Sequence, residues 1–381
     1  MGFTVILAEA LFAPEETRGP VAVSVRDGRI EAISRKVPSA REVVDVRPWR
    51  LAPGYIDIHS HGFSGSDVTS GTEADLWAMA RALPATGVTA FLPTIASTGP
   101  AQTRRQVERI AAAMRAADAR AAEILGIRLE GPFINPAKKG AQNEAAIRSP
   151  DPAELSRLAE IGPIRMVDFA PEVDGAHALL GVLRERGILA CIGHTAASYE
   201  QALEAIDAGV RHCTHLFNAM SPLDHRAPGV AGALLVDERA TLEIIADGVH
   251  VHPAIIRLAI AARGAEAVAL ITDALSATGL GEGEHSFDGR RVSLRDGVMR
   301  LLDGTIAGSV LTMDQAVRNV VNLVGCSWPD AVRMASLSPA NIAGIADRKG
   351  QLKPGADADF VVLDDAGEVR QTWHAGRRVF G

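Results

Sequence analysis

The sequence predicts a (β/α)8 barrel of the TIM type carrying a small β-sandwich built from both chain ends. Three observations predict it. Eight apolar runs rich in Val, Ile and Leu alternate with helical patterns between residue 55 and about residue 325. Side chains that suit a divalent metal recur at the C-terminal ends of several of those runs. The two ends of the chain instead alternate apolar and polar residues around turn signals.

In chain order, residues 21–34 (VAVSVRDGRIEAIS) alternate about Asp27-Gly28, a hairpin signal. Barrel strands are expected near 55–61, 88–94, 124–130, 164–171, 188–194, 212–217, 242–247 and 268–273. Segments such as ADLWAMARAL, TRRQVERIAAAMRAAD, PAELSRLAEI and SYEQALEAIDAG fall between them with helical periodicity. Nearly continuous apolar strands alternating with helices make a parallel sheet covered on its outer face. Eight such repeats are the count of a closed barrel. An open, doubly wound sheet would not bring the ends of strands one, three, five, six and eight around one point. Residues 284–305 (EHSFDGRRVSLRDGVMRLLDGT) read as a β-hairpin inserted after the eighth strand. Residues 357–380 read as two or three short strands with turns at Asp365–Gly367 and Ala375-Gly376. Neither chain end can make a stable sheet alone, so 1–50 and 346–381 are expected to pair into one discontinuous β-unit beside a barrel of residues 51–345.

Composition narrows the function classes. The 381 residues are 47% apolar and 22% charged, ordinary for a globular chain with a large core. A net charge of −7 argues against a nucleic-acid or anionic-membrane surface and leaves small ligands as partners. The start, MGFTVILAEALFAPEE, has no basic region ahead of its apolar run, so no signal peptide is expected. Apolar stretches break well short of the roughly 18–20 residues of a membrane span. Cys191, Cys213 and Cys326 form no CxxC pair and fit a reduced, cytoplasmic protein.

The chemistry-bearing residues close the apolar runs. His59 and His61 end YIDIHSH, and residues i and i+2 of a strand face the same way, so both imidazoles can chelate one ion. The bland alternative is a solvated or hydrogen-bonded pair. Glu130 follows Ile127 and Leu129 in a run that should be buried, where a carboxylate needs either a cation or an Arg partner. His194 and His215, in GHT and THLFNAM, each suit a core hydrogen bond when taken singly. With Glu130 they supply three ligands and leave room for water, as a hydrolytic metal site requires. Cys191 and Cys213 lie close by in sequence and read as core thiols. Asp273, in ITDA, is the candidate general base and acid, with a ligand or N-cap role as its alternatives.

Together the strings APGYIDIHSHG, RLEGPFINPAKKGAQ, IGHTAA, THLFNAMSPL, ADGVHVHP, ITDA and AGSVLTMDQAVRN resemble the N-acetylglucosamine-6-phosphate deacetylases of the amidohydrolase superfamily. The resemblance runs the whole length of the chain. It implies cleavage of the N-acetyl amide of N-acetylglucosamine 6-phosphate, giving glucosamine 6-phosphate and acetate. It implies a principal divalent ion, zinc first, on Glu130, His194 and His215, and Asp273 as the acid and base. Because His59 and His61 are kept, a second ion is expected to have a place. Sugar-phosphate contacts carry over to Ala141, Gln142, Asn218, Ala219, Arg226, His250 and Ala307–Ser309, which includes Gly308. Arg226 and His250 are the charge-assisted donors suited to a phosphate. Some relatives carry His where this chain has Gln142, which can donate a hydrogen bond but holds no charge. The resemblance also implies a homodimer. N-acetylgalactosamine 6-phosphate is the alternative substrate, since one sugar hydroxyl separates the two. A cyclic-amide hydrolase would have no use for THLFNAM, and a non-catalytic scaffold would have shed ligands that this chain retains.

Overall fold

The computed structural model describes residues 3–12 and 17–381. Eight parallel strands form the barrel: β1 Tyr55–Ser60, β2 Val88–Ala96, β3 Ile127–Glu130, β4 Ile164–Phe169, β5 Leu189–Ile192, β6 His212–Cys213, β7 Thr241–Ile245 and β8 Val268–Ile271. Each pairs in parallel with its neighbour from β1 to β8. Their side chains are almost all buried, as expected of strands with helices outside and a packed interior inside. The ring closes at its C-terminal rim: the Asp273 amide donates to the His59 carbonyl at 2.9 Å, and the His61 amide donates to the Ala274 carbonyl at 2.9 Å. Closure therefore falls on residues already singled out for chemistry.

The covering helices begin where their sequences cap them. Thr72 and Asp75 form a reciprocal capping box at the start of Glu73–Ala82, as do Ser198 and Gln201 before Tyr199–Ala208. Among the described residues, no helix is long and apolar enough to cross a membrane.

The chain ends build two further sheets. One has the order Arg29–Ser34, Val21–Arg26, Thr4–Ala8, Glu42–Asp45. The other runs Arg377–Phe380, Val369–His374, Phe360–Leu363, Arg50–Pro53, Ala10–Phe12, Thr17–Arg18. Ile6, Val23, Ile30, Leu51, Phe360, Val362 and Trp373 share one apolar core between them, so the sandwich draws strands from both termini. Asp27 and Gly28 turn the first hairpin with φ of 49° and 77°, the left-handed pair an Asp-Gly turn supplies.

The segment after β8 differs from expectation. It is a three-stranded antiparallel meander, Gly283–Phe287, Arg290–Arg295 and Val298–Leu301, rather than a hairpin. The sequence holds a second Asp-Gly pair: Asp288-Gly289 and Asp296-Gly297 both take positive φ, and each reverses the chain. The third barrel strand is also interrupted, with Glu123–Ile124 pairing separately onto β2.

Glu123 anchors the sandwich to the barrel. Its carboxylate meets Arg348 Nη1 at 2.9 Å and Lys349 Nζ at 3.0 Å, and the same two cations bind Asp357. Burial alone would raise the Glu123 carboxyl, but the Arg348 hydrogen bond and the Lys349 charge hold it at about 2 against an ordinary 4.5. A depressed carboxylate stabilises the fold above its ordinary pKa and loses that contribution as pH falls toward the folded value. The Tm advantage of the wild type over Glu123→Gln should thus be full near neutrality and shrink as pH drops below 4.5. An advantage that stays constant down to the acid limit of folding would contradict this role for Glu123.

Candidate metal centre and cleft

Side chains from five strand ends converge at the C-terminal mouth. His59 lies within β1 and His61 one residue beyond it, and both are buried. Glu130 is the last residue of β3. His194, His215 and Asp273 each lie two residues past β5, β6 and β8. These three leave extended geometry for the left-handed region, with φ of 47°, 28° and 48°. Such a backbone costs on the order of 1–3 kcal/mol per non-glycine residue and persists where its surroundings over-determine it. Here the His215 amide is held by the Glu243 carboxylate and the Asp273 amide by the His59 carbonyl.

Glu130 is the hub. Its Oε1 lies 2.9 Å from His215 Nε2, 3.0 Å from His194 Nε2 and 3.5 Å from His59 Nε2, and its Oε2 is 3.0 Å from His61 Nε2. Among the described residues its ion-pair partners are all imidazoles, so the Glu–Arg pair considered from sequence is not formed. Two three-residue sets, His59/His61/Glu130 and Glu130/His194/His215, bring ligand atoms within 4.8 Å of one another. Asp273 Oδ1 stands beside them, 3.5 Å from His59 Nε2 and 3.4 Å from His61 Nε2.

Proton placement tests whether these groups fit a cation. His61 Nδ1 faces the Thr94 carbonyl at 3.0 Å and His194 Nδ1 the Lys138 carbonyl at 2.8 Å. A carbonyl only accepts, so both nitrogens carry hydrogen and both Nε2 atoms present lone pairs. His59 Nδ1 faces the Glu243 carboxylate at 3.2 Å, with the same consequence. Nε2 of His59 and His61, both bearing lone pairs, then stand 3.2 Å apart, while His215 Nε2, whose Nδ1 meets no acceptor, is 3.1 Å from His194 Nε2. Lone pairs so close repel unless a proton or a metal ion lies between them. The carboxylates draw positive charge to the same place. Burial disfavours a charged His61, yet Glu130 and Asp273 push its pKa up to about 9. Burial would raise Glu130, and the His61 and His59 charges instead hold it well below the carboxylate range. A divalent ion supplies that charge without protons, and the donor set fits it.

A second buried layer lies directly beneath and went unrecognised in the sequence. Arg128, fully enclosed, makes a two-point contact with Asp168 (Nε to Oδ2 and Nη2 to Oδ1, both 3.0 Å) and also binds Glu243. His212 Nε2 donates to Glu243 at 2.8 Å. The available signal was a charged residue inside each apolar run: Arg128 in GIRLE, Asp168 in MVDFA and Glu243 in TLEII. Arg128 shares the strand parity of Glu130, so both point into the barrel.

Above these imidazoles and carboxylates opens a cleft of about 180 Å³. Ala141, Gln142, Asn218, Ala219, His250 and Gly308 line it with His61, Glu130, His194, His215 and Asp273. His59 is enclosed below. Ala307 and Ser309 flank the cleft without lining it. Their amides are spent on the Met299 and Asp273 carbonyls, which fixes Gly308 between them. Arg226 is exposed on the loop after β6 and does not line the cleft. Gln142 is buried, accepting from the Ser97 amide at 2.7 Å and donating to Glu130 Oε2. His250 Nδ1 meets Asp247 Oδ2 at 2.6 Å; burial opposes its charge, and the Asp247 carboxylate overrides burial to raise its pKa. Val249, Leu275, Phe287 and Ile306 form an apolar wall that the sequence reading did not include.

Comparison with known proteins agrees with this architecture. The amidohydrolase family profile matches residues 50–379. The N-acetylglucosamine-6-phosphate deacetylase of Bacillus subtilis is 38% identical over 366 residues, covering 94% of this chain and 92% of that protein. The N-acetylgalactosamine-6-phosphate deacetylase of Escherichia coli O157:H7 is 37% identical over 375 residues, covering 98% of each. A mutant N-acetyl-D-glucosamine-6-phosphate deacetylase from Mycobacterium smegmatis, solved in complex with N-acetyl-D-glucosamine-6-phosphate, superposes with a TM-score of 0.94 at 36% identity over 100% of both chains. This chain therefore belongs to the amidohydrolase family, on the branch that holds these deacetylases.

Proposed function

We propose that this protein hydrolyses the N-acetyl amide of N-acetylglucosamine 6-phosphate, releasing glucosamine 6-phosphate and acetate. The observation that carries the reading is Asp273 beside two ligand sets that share Glu130, at the foot of a small-molecule cleft. Likeness to the named deacetylases over nearly the whole chain supports the substrate.

Glu130, His194 and His215 would hold the principal ion, and His59 and His61, with Glu130, a second; zinc suits a site of imidazole and carboxylate donors. Bound there, the ion supplies Lewis acidity toward the amide carbonyl and lowers the pKa of a nucleophilic water. Asp273 takes the proton that the water releases as it attacks the acetyl carbon. It returns that proton to the sugar nitrogen as the C–N bond breaks, so amine and acetate leave with charge balanced. Gln142 keeps one amide hydrogen beyond that given to Glu130, available to the developing oxyanion. Asn218, Ala219 and Gly308 would shape the sugar pocket and His250 would meet the phosphate; Arg226, exposed on the loop after β6, is the further cation that the resemblance assigns to it. The exposed apolar residues Ile255, Leu258 and Leu323 lie on adjoining helices beside the cleft rim and offer a face for a second copy, giving a homodimer.

Elemental analysis and acetate release measured on one sample test the core of this reading. Glu130→Ala should strip metal and activity together. Asp273→Asn should keep its metal while kcat falls by about 10²–10⁴-fold, the usual reach of general acid–base catalysis. A metal-free wild type with full activity, or Asp273→Asn at wild-type rate, would reassign the site.

Phosphate selection has its own signature. A charge-assisted hydrogen bond contributes about 1.5–3 kcal/mol, so His250→Ala should cost about 10- to 150-fold in kcat/KM on the phosphorylated sugar only. Arg226→Ala should lower kcat/KM on the phosphorylated sugar alone, and an equal loss on both sugars would remove it from phosphate recognition. Because the His250 cation is lost above its raised pKa, wild-type preference for phosphorylated over unphosphorylated sugar should weaken as pH rises. Equal losses on both sugars would remove His250 from phosphate recognition. Sedimentation at micromolar concentration reads the dimer: Leu258→Glu should yield monomers, and a wild type that is already monomeric rejects it.

A further inference from the structure

We propose that Glu243 is a positioning residue for the metal centre, fixing the His59 imidazole and the His215 backbone with one carboxylate. The inference rests on the reading that His59 and His215 are metal ligands. Glu243 lies in the middle of β7 and is fully buried, one layer below the ligands. Its Oε2 accepts from His59 Nδ1 at 3.2 Å and from the His215 amide at 3.2 Å. Arg128 Nη2 reaches the same oxygen at 3.1 Å, while Oε1 takes Arg128 Nη1 and His212 Nε2.

Two consequences follow from chemistry alone. An ionised carboxylate only accepts, so it keeps hydrogen on His59 Nδ1 and turns the Nε2 lone pair toward His61 and Glu130. Its hold on the His215 amide pins a residue whose φ of 28° has no support from strand pairing. Arg128 secures the arrangement. It grips Asp168 at two points, Glu243 at two and the Ile58 carbonyl at 3.0 Å, the residue next to His59. One guanidinium and the His212 imidazole face two carboxylates there, so Glu243 is held from below as well as from the ligand side.

A buried ion cluster that only cements strands would affect stability and leave metal binding alone. Glu243→Gln, equal in size and uncharged, separates the two roles. Zinc affinity measured by chelator competition should fall about 10- to 100-fold, the range seen when partners behind metal-bound histidines are removed. The visible spectrum of the cobalt(II)-substituted protein should change as well. Wild-type zinc affinity and cobalt spectrum in Glu243→Gln, whatever its Tm, would overturn the proposal. A variant too unstable to purify is bypassed by the wild type itself. With 15N-labelled histidine and zinc bound, the His59 signal, identified by its loss in His59→Gln, should show hydrogen on Nδ1; hydrogen on Nε2 would refute the assignment. A wild type that binds neither zinc nor cobalt would instead overturn the metal reading and this one with it.

Discussion

Glu130 is a carboxylate at the floor of a cleft, almost wholly withdrawn from water, with four imidazole nitrogens around it. An ionised group buried that deeply costs several kcal/mol unless positive charge meets it. No guanidinium or ammonium among the described residues does so, and protons on the histidines would occupy the lone pairs that point at the same spot. The rest of the mouth follows from that constraint. The hydrogen-bond acceptors behind the rings, Thr94, Lys138 and Glu243, all stand on the Nδ1 side, so every ring they hold presents Nε2 inward. Asp273 is brought close by the bonds that close the barrel, which places a second carboxylate at the same centre.

Barrel closure and site assembly are thus one event. The pairing of β8 with β1 is carried by residues 59, 61, 273 and 274, so a barrel that failed to close would separate Asp273 from His59 and His61. The left-handed backbones of His194, His215 and Asp273 have the same logic. A strand alternates its side chains, and a rim that must aim several groups at one point needs residues that break the alternation. Thr214 and His215 show it: Thr214 Oγ1 accepts from Arg128 inside the barrel, while the next side chain also faces inward, onto Glu130.

What could be read from sequence divides along the same line. The barrel was legible because its strands are buried on both faces and spell continuous apolar runs, and the terminal sheets because Asp27-Gly28 and Ala375-Gly376 mark reversals. The candidate ligand set was legible because its members sit where those runs stop. Parity arguments held for His59 and His61, inside or next to a strand, and had no purchase on His215, where β6 is only two residues long. The Arg128, Asp168 and Glu243 layer was illegible because each residue alone looks like an interruption of an apolar run. Only the closed barrel brings β3, β4 and β7 together around them. The segment after β8, expected as a hairpin, has one strand more because each of its Asp-Gly pairs, Asp288-Gly289 and Asp296-Gly297, reverses the chain, and its first strand ends at Phe287, whose ring stands 6.0 Å from that of His61.

Chemistry and selectivity occupy different parts of this fold. The groups proposed to bind metal and move protons sit at strand ends, braced from below by a buried ionic layer. Most groups that would meet the sugar lie on loops: residues 140–142 after β3, 218–219 after β6, 249–250 after β7, and 306 and 308 at the exit of the meander, with Phe287 at the end of its first strand. Loops change shape at little cost to the barrel, whereas the ligand layer tolerates almost no displacement. A family built this way can shift preference at one sugar hydroxyl while its metal centre stays intact.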